Sequence, residues 1–260
     1  MVAITSLQRE HIIESVQAMY TEVASYPQKV FHFPTGRAAC EFVGYPQAQL
    51  DAIPSTAVES FAGVGYPFAV GAIKNGNTVL DIGSGSGTDV LISALLTGSS
   101  GAVYALDMTE AMRDKLLSNA EKASVNNITI IDAEAENIPL PDNSIDVVTS
   151  NGVLNLVPNK KKAFKEIFRI LKPGGRVQIA DIVVSQEISE QCRQDPKLWA
   201  ECIVGALEKD DYLGLFREIG FIDVNELHHL DYFSASVSQE TRDVAASLGA
   251  HSIVMKATKP

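Results

Sequence analysis

The stretch VLDIGSGSGTD, residues 79–89, limits the possible folds of this chain more than any other part of the sequence. A continuous apolar run leads into three alternating glycines, Gly83, Gly85 and Gly87, and an apolar helical pattern follows over 88–96. Glycine permits tight turns and lets a backbone come close to a ligand. The stretch therefore predicts a buried strand, a turn that contacts a ligand, and a helix.

The same order of strand and helix repeats along the rest of the chain. Helical periodicities separate the apolar runs, and one of the predicted helices ends at KPGG, a glycine stop signal. The runs that we predict to be strands are TVLDIG, AVYALD, ITIIDA, SIDVVTS, RVQIADIVV, FIDVNEL and HSIVMKAT. Alternation of this kind predicts an α/β protein with a doubly wound, Rossmann-like, mostly parallel sheet and helices on both faces.

Two segments lie outside this alternation. The first begins with an amphipathic helix over 7–23 and continues as a passage rich in glycine and proline, so we expect residues 1–70 to form a helical and loop cap, or lid. The second, DPKLWAECIVGAL, predicts an inserted helix after strand five, within about 186–208. The expected main domain, 71–260, contains the sheet and this insertion.

Charge and cysteine content narrow the class of protein. The net charge is -11, from 21 basic and 32 acidic residues, and such a field repels a nucleic-acid backbone and favours a small-molecule or protein partner. Cys40, Cys192 and Cys202 are too few and too far apart for a disulfide scaffold and indicate a reducing compartment. Neither an apolar leader nor an 18-residue apolar run is present, so we expect a soluble, cytoplasmic protein.

The glycine turn has several possible ligands. A nucleotide-phosphate loop needs GxxxxGK followed by Ser or Thr, and no such lysine follows Gly83. The dinucleotide fingerprint GxGxxG fits only in part, because the glycines alternate and position 88 is threonine. A tight turn without any ligand is the remaining interpretation, so the segments that follow have to decide.

Acidic residues after the second and third predicted strands indicate a nucleoside. Asp107 ends strand two, where a carboxylate accepts hydrogen bonds from ribose hydroxyls. Met108 follows, suited either to a purine face or to core packing. Glu134 and Ala135 stand where an acid and a backbone amide would meet an adenine edge, and Asp132 is the alternative acid if the register slips.

In combination, LDIGSGSG, the LD at 106–107, ENIPLPDNSIDVV and RILKPGG resemble the class I S-adenosylmethionine-dependent methyltransferases over 78–184. The resemblance implies a seven-stranded sheet with a reversed last strand and S-adenosylmethionine across the carboxyl ends of strands one and two. Asp81 and the glycine loop would face its methionine end, and Asp107 its ribose. The candidate cofactor-binding residues are Asp81, Gly83, Ser84, Gly85, Gly87, Asp107, Met108, Glu134, Ala135 and Asn151.

A second likeness concerns the methyl acceptor. The segments ESFAGVGYPF, SNGVLNLVPNKKKAFKEIFRILKPGG and DPKLWAECIVGAL resemble the arsenite methyltransferases within 59–221. That family implies three cysteine thiolates, soft ligands for trivalent arsenic. Val64 and Gly152 occupy two of the three positions here, and only Cys202 remains. We therefore expect an enzyme that methylates a small molecule other than arsenite.

Four residues are candidates for catalysis. Asn151 and Asn155 lie where strand four ends, and their amides are suited to orienting the acceptor or the sulfonium; a cap or loop hydrogen bond is the alternative for Asn155. Glu201 is a candidate general base or a solvated helix residue, and Cys202 a remnant of a metalloid site or a small buried apolar residue. The sequence contains no zinc-type cluster, so we expect no metal.

Three other functions fit parts of the sequence. Arsenite methylation would need Cys202 together with Cys40 or Cys192. A protein that binds S-adenosylmethionine without turnover would keep the cofactor residues alone. A nicotinamide-dependent oxidoreductase would use the same glycine turn for a dinucleotide.

Overall fold

A seven-stranded sheet organises the protein, for which the computed structural model describes residues 5–188, 199 and 203–260. The strands lie in the order β3-β2-β1-β4-β5-β7-β6. Their bounds are β1 Thr78–Ile82, β2 Ala102–Asp107, β3 Ile128–Asp132, β4 Ile145–Asn151, β5 Leu171–Val183, β6 Ile222–Leu230 and β7 His251–Thr258. This confirms the predicted Rossmann-like sheet.

The strand directions confirm the reversed last strand. β7 runs antiparallel to both β5 and β6, whereas the pairs from β3 across to β5 are parallel. β1 pairs with β2 on one side and with β4 on the other, so the chain order reverses at β1. Ligands of doubly wound sheets bind in the crevice outside the carboxyl ends of the strands at such a reversal.

Nine α-helices are found in the part of the chain that the structure describes. They are α1 Ser6–Ser25, α2 Gly36–Phe42, α3 Gln47–Asp51, α4 Ser55–Val58, α5 Thr88–Thr97, α6 Glu110–Lys122, α7 Lys160–Ile170, α8 Lys209–Ile219 and α9 Gln239–Leu248. The predicted first helix is present and is two residues longer at its carboxyl end, where Ser25 is its last residue. The predicted inserted helix lies mostly outside the described residues.

The amino-terminal segment packs on the sheet domain through an apolar face and polar contacts. Ile12, Val16 and Val23 of α1 are buried. Lys115 of α6 donates hydrogen bonds to the Ala24 carbonyl at 3.1 Å and to other groups of the segment. The division into a cap, 1–70, and a main domain, 71–260, stays a prediction. None of the described helices is long and apolar enough to cross a membrane.

Candidate functional site

A cleft lies at the carboxyl ends of β1, β2 and β4, at the reversal of the sheet. It has about 1050 Å³ of empty space, part of which is open to solvent. The glycine turn, the end of β2, the loop after β3 and the end of β4 form its floor, and α1 covers it with Ile12 and Val16. Most of the predicted cofactor residues line this single cleft.

The three glycines of the turn have different roles. A Cβ on Gly83 would come within 2.2 Å of Val153, and one on Gly87 within 2.3 Å of a Leu116 methyl, so both positions need glycine for packing. A Cβ on Gly85 would meet nothing nearer than 3.9 Å, which leaves room for a ligand beside its backbone. Gly83, Ser84 and Gly85 line the cleft; Gly87 does not.

Asp107 closes the turn against the end of β2. Its carboxylate accepts the backbone N–H of Gly85 at 2.8 Å and that of Thr109 at 2.8 Å. Burial raises the pKa of this acid, and the two N–H donors oppose the rise. Asp107 and the adjacent Met108 both line the cleft, in the place where the sequence predicts a ribose and a purine.

Glu134 and Ala135 line the cleft after β3, and Glu134 also contacts the cap. Arg9 of α1 forms an ion pair with Glu134, and its Nε lies 3.5 Å from a carboxylate oxygen of Glu136. Asp132, the alternative acid, is exposed, pairs with Arg113 at 2.9 Å and does not line the cleft. The geometry therefore favours Glu134 over Asp132 as the acid nearest a bound base.

Two buried carboxyl groups, Asp81 and Asp89, face the same cleft. They are 2% and 5% exposed, and neither has an ion pair with a lysine or arginine among the described residues. Burial raises the pKa of Asp81 well above its usual value, and the charges of Asp89 and Asp107 add to this. Burial also raises the pKa of Asp89 to about 6, against hydrogen bonds that lower it.

A pair of buried acids without a cation fits a positively charged ligand. S-adenosylmethionine carries an ammonium and a sulfonium group, and the acids lie beside the glycine turn where its methionine end was expected. The Ser84 hydroxyl, also on the cleft, is buried without a hydrogen-bond partner among the described residues and can serve the same ligand. These side chains therefore fit the cofactor.

Sequence reasoning missed Asp89. It occupies the first turn of α5, whose next four residues are all buried, and a lone acid in such a helix was the available signal. Its partners come from distant parts of the chain: the Tyr45 hydroxyl donates to it, and Asn151 Nδ2 lies 3.1 Å from its second oxygen.

Asn151 ties the loop before β1 to the end of β4. Its side-chain oxygen accepts the backbone N–H of Val64 at 2.7 Å and that of Gly65 at 3.2 Å. Its amide nitrogen lies 3.0 Å from the Gly65 carbonyl. Asn151 lines the cleft, and most of its hydrogen-bonding capacity holds protein groups rather than free space.

The two positions where the resemblance implies thiolates are neighbours. A Cβ on Gly152 would lie 3.1 Å from a Val64 methyl, so two side chains at these positions would touch. Cys40 does not line the cleft, and burial raises the pKa of its thiol well above the usual value. Cys192, Cys202 and the candidate base Glu201 lie outside the described residues.

Asn155, the other predicted catalytic amide, lies behind the cleft. It is fully buried, it does not line the cleft, and its backbone N–H hydrogen-bonds to Asp181 on β5. Nearby, the Trp199 indole donates to the Leu156 carbonyl at 2.8 Å. No group of three metal-ligating side chains is found in the part of the chain with described coordinates.

Comparison with known proteins places this site in a family. A methyltransferase domain model matches residues 73–220. The arsenic(III) S-adenosylmethionine methyltransferase of Chlamydomonas reinhardtii is 32% identical, with a TM-score of 0.69 over 82% of this chain and 72% of that one. The chain belongs to the class I S-adenosylmethionine-dependent methyltransferases. S-adenosylmethionine is the cofactor of this family.

Curated relatives of the chain are also methyltransferases. The arsenite methyltransferase of Halobacterium salinarum is 38% identical over 159 residues, 61% of this chain and 41% of its own length. A ubiquinone/menaquinone biosynthesis C-methyltransferase of Azotobacter vinelandii is 35% identical over 120 residues, 45% of this chain and 46% of its own. The chain thus spans less than half the length of these relatives.

Proposed function

We propose that the protein transfers the methyl group of S-adenosylmethionine to a small, neutral, apolar acceptor, and that arsenite is not its substrate. The contact between Val64 and Gly152 carries the proposal. At these two positions the arsenite-methyltransferase pattern calls for thiolates, and this chain has a valine and a glycine, neither of which can bind arsenic. Trivalent arsenic needs several soft ligands, which these residues do not supply.

The surroundings of that contact suit an apolar acceptor. Besides Gly152, the cleft is lined by the hydrophobic residues Ile12, Val16, Phe61, Leu156 and Val157. A polar acceptor would leave its hydrogen-bonding groups unpaired against such a surface, which costs about 1–3 kcal/mol for each group. An apolar molecule loses nothing of this kind and gains from the removal of its surface from water.

The protein contributes to the reaction by positioning the cofactor and the acceptor. When bound, the cofactor supplies an electrophilic methyl on its sulfonium, and methyl transfer needs the nucleophile in line with it at near-attack distance. Asp81 and Asp89 would hold the cationic end, Asp107 the ribose hydroxyls, and Glu134 with Ala135 the base. Helix α1 would close the cleft and exclude water.

Arsenite methylation is the second candidate, and similarity to the Halobacterium salinarum enzyme favours it. It requires Cys202 with Cys40 or Cys192. The burial of Cys40 counts against its use, because the thiolate is the ligand and burial disfavours it. A protein that binds the cofactor without turnover is the third candidate.

A turnover assay with mass-spectrometric detection separates these functions. One reaction contains S-adenosylmethionine, arsenite and a thiol; the others contain simple thiols, phenols or quinones in place of arsenite. We expect methylation of an apolar acceptor and no methylarsenic. Methylarsenic from the native chain would overturn the proposal, and cofactor binding without transfer to any acceptor would favour the third candidate.

The double variant Val64→Cys/Gly152→Cys is the positive control for arsenic. It places two thiols in contact at the expected positions, so it should bind arsenite where the native chain does not. Val64→Ser/Gly152→Ser is the matched control, with similar size and the same backbone strain at position 152, where φ is +72°. If both variants bound arsenite, the binding could not be attributed to the introduced thiols.

A further inference from the structure

Two buried side chains, Tyr45 and Asp89, and the half-buried Asn151 form a hydrogen-bonded network between the cofactor and acceptor sides of the cleft. The Tyr45 hydroxyl donates to one oxygen of Asp89. Asn151 Nδ2 lies 3.1 Å from the other oxygen of Asp89 and 3.0 Å from the Tyr45 hydroxyl. The same nitrogen lies 3.0 Å from the Gly65 carbonyl, in the loop that carries Val64.

The hydrogens of this network are too few for its acceptors. Asn151 Nδ2 has two hydrogens and three acceptors: the Asp89 carboxylate, the Tyr45 hydroxyl and the Gly65 carbonyl. When Asp89 is ionised, Tyr45 donates its hydrogen to it, and Asn151 can divide its two hydrogens between Asp89 and Gly65. When Asp89 is protonated, its bond from Asn151 loses the assistance of the charge, so the Asn151 amide, whose oxygen accepts the Val64 and Gly65 backbone N–H groups, is held less firmly.

Burial disfavours the charge of Asp89, and hydrogen bonds from Tyr45 and Asn151 favour it. Asp81 of β1 and Asp107 at the end of β2 lie on the same cleft and add negative charge. Tyr45, Tyr66 and Cys40 face it from the amino-terminal segment, and none of them carries a positive charge. A bound cation would therefore lower the pKa of Asp89 and keep it ionised below pH 6 as well.

We propose that Tyr45, Asp89 and Asn151 are positioning residues that transmit cofactor binding to the loop carrying Val64, so that a bound cofactor orders the acceptor side of the cleft. The proposal rests on the proposed function, since it takes S-adenosylmethionine as the cation. It goes further in that it predicts ordered binding, with the cofactor first, and a pH dependence that belongs to the cofactor step.

Titration calorimetry of the intact chain with S-adenosylmethionine between pH 5 and pH 8 tests the first part. An acid with a pKa of about 6 is mostly protonated at pH 5 and mostly ionised at pH 7, so affinity should rise about tenfold over that interval. Tyr45→Phe removes a hydrogen bond that lowers this pKa. We therefore expect its midpoint at higher pH, with affinity about threefold weaker at pH 6 and less affected at pH 8.

Tyr66→Phe is the matched control, because Tyr66 packs edge-on against Tyr45 at 4.9 Å between ring centroids but its hydroxyl bonds Gln49 at 3.0 Å. It should keep the wild-type midpoint. Asp89→Asn, which keeps the side-chain shape, should bind more weakly and lose the part of the pH dependence that has its midpoint near pH 6. Asp89→Asn also tests the pH dependence if Tyr45→Phe does not fold.

Hydrogen exchange of the backbone amides of Val64 and Gly65, followed by mass spectrometry, tests the ordering. The cofactor should slow this exchange several-fold in the wild type and in Tyr66→Phe, and much less in Tyr45→Phe. Cofactor binding with no pH dependence, or equal protection in all three proteins, would overturn the network and leave the proposed function standing. No binding at any pH would overturn the proposed function itself.

Discussion

Asp107 combines two roles in one carboxylate, because it fixes the glycine turn and faces the cleft. We expect Asp107→Ala to weaken S-adenosylmethionine binding more than tenfold, since a buried carboxylate that holds two hydroxyls contributes on the order of 2–3 kcal/mol. Calorimetry measures the change directly. Asp132→Ala is the control: this acid pairs with Asp107 in the strand register but is exposed, and its removal should change affinity less than twofold.

Residues such as Asp107 could be predicted because their role depends on local position, at the end of a buried strand beside a glycine turn. Asp89 could not be placed in the same way. Its partners Tyr45 and Asn151 are 44 and 62 residues distant in sequence, so its role depends on tertiary contacts. Asn155 shows the converse, since its position after strand four indicated the cleft, whereas the fold buries it completely and away from the cleft lining.

Some secondary-structure elements were likewise predictable from the sequence, and others were not. The inner strands of the sheet were predictable because burial on both faces gives uninterrupted apolar runs. Helices α2 to α4 have four to seven residues, too few for periodicity to show. Helix α9 buries only Thr241 and Ala245 among its ten residues, with Leu248 partly buried, so its apolar pattern is short.

Helix α1 covers the cleft, and we expect it to control access to it. Arg9 attaches it to Glu134 and Glu136, and Gln17 donates to the Met108 carbonyl at 2.9 Å. We expect Arg9→Ala to speed cofactor dissociation about threefold to tenfold, because the lid opens more often. The effect on Tm should be below about 2 °C, since partly exposed ion pairs contribute little to stability.

Stopped-flow displacement of a fluorescent cofactor analogue measures that dissociation rate. Arg37→Ala is the control variant, since Arg37 pairs with Glu41 at 2.9 Å and Asp51 at 2.7 Å and does not line the cleft. It should leave the rate unchanged. Equal rates for Arg9→Ala and the native chain would show that α1 does not limit release.

At the scale of the whole molecule, buried acids make stability depend on pH. Burial raises the pKa values of Asp81, Asp89 and Asp107 on the cleft, and it raises the pKa of Asp181, in the core of β5, to about 7. The folded protein holds protons that the unfolded chain has already lost between about pH 4 and pH 7. Stability therefore falls as the pH rises through this interval.

Asp181 offers the clearest test, because it lies outside the cleft. Its carboxyl group accepts hydrogen bonds from the Tyr212 hydroxyl at 2.8 Å and from the Ile182 backbone N–H at 2.9 Å. An asparagine keeps the Ile182 bond, and the Tyr212 hydroxyl can turn to accept from the amide. The neutral side chain avoids the cost of a buried charge, which for a pKa of about 7 is on the order of 4 kcal/mol above pH 7.

Thermal melts of Asp181→Asn should therefore show a Tm about 5–10 °C above the native value at pH 8, and almost no gain at pH 4, where the native acid is protonated in the folded protein and about half protonated in the unfolded chain. Asp146→Asn should change Tm in the opposite direction. Asp146 pairs with Lys172 at 2.9 Å, and this contact lowers the pKa of Asp146, so the substitution should decrease Tm at pH 8. A uniform gain for Asp181→Asn at both pH values would contradict the protonation argument and point to packing instead.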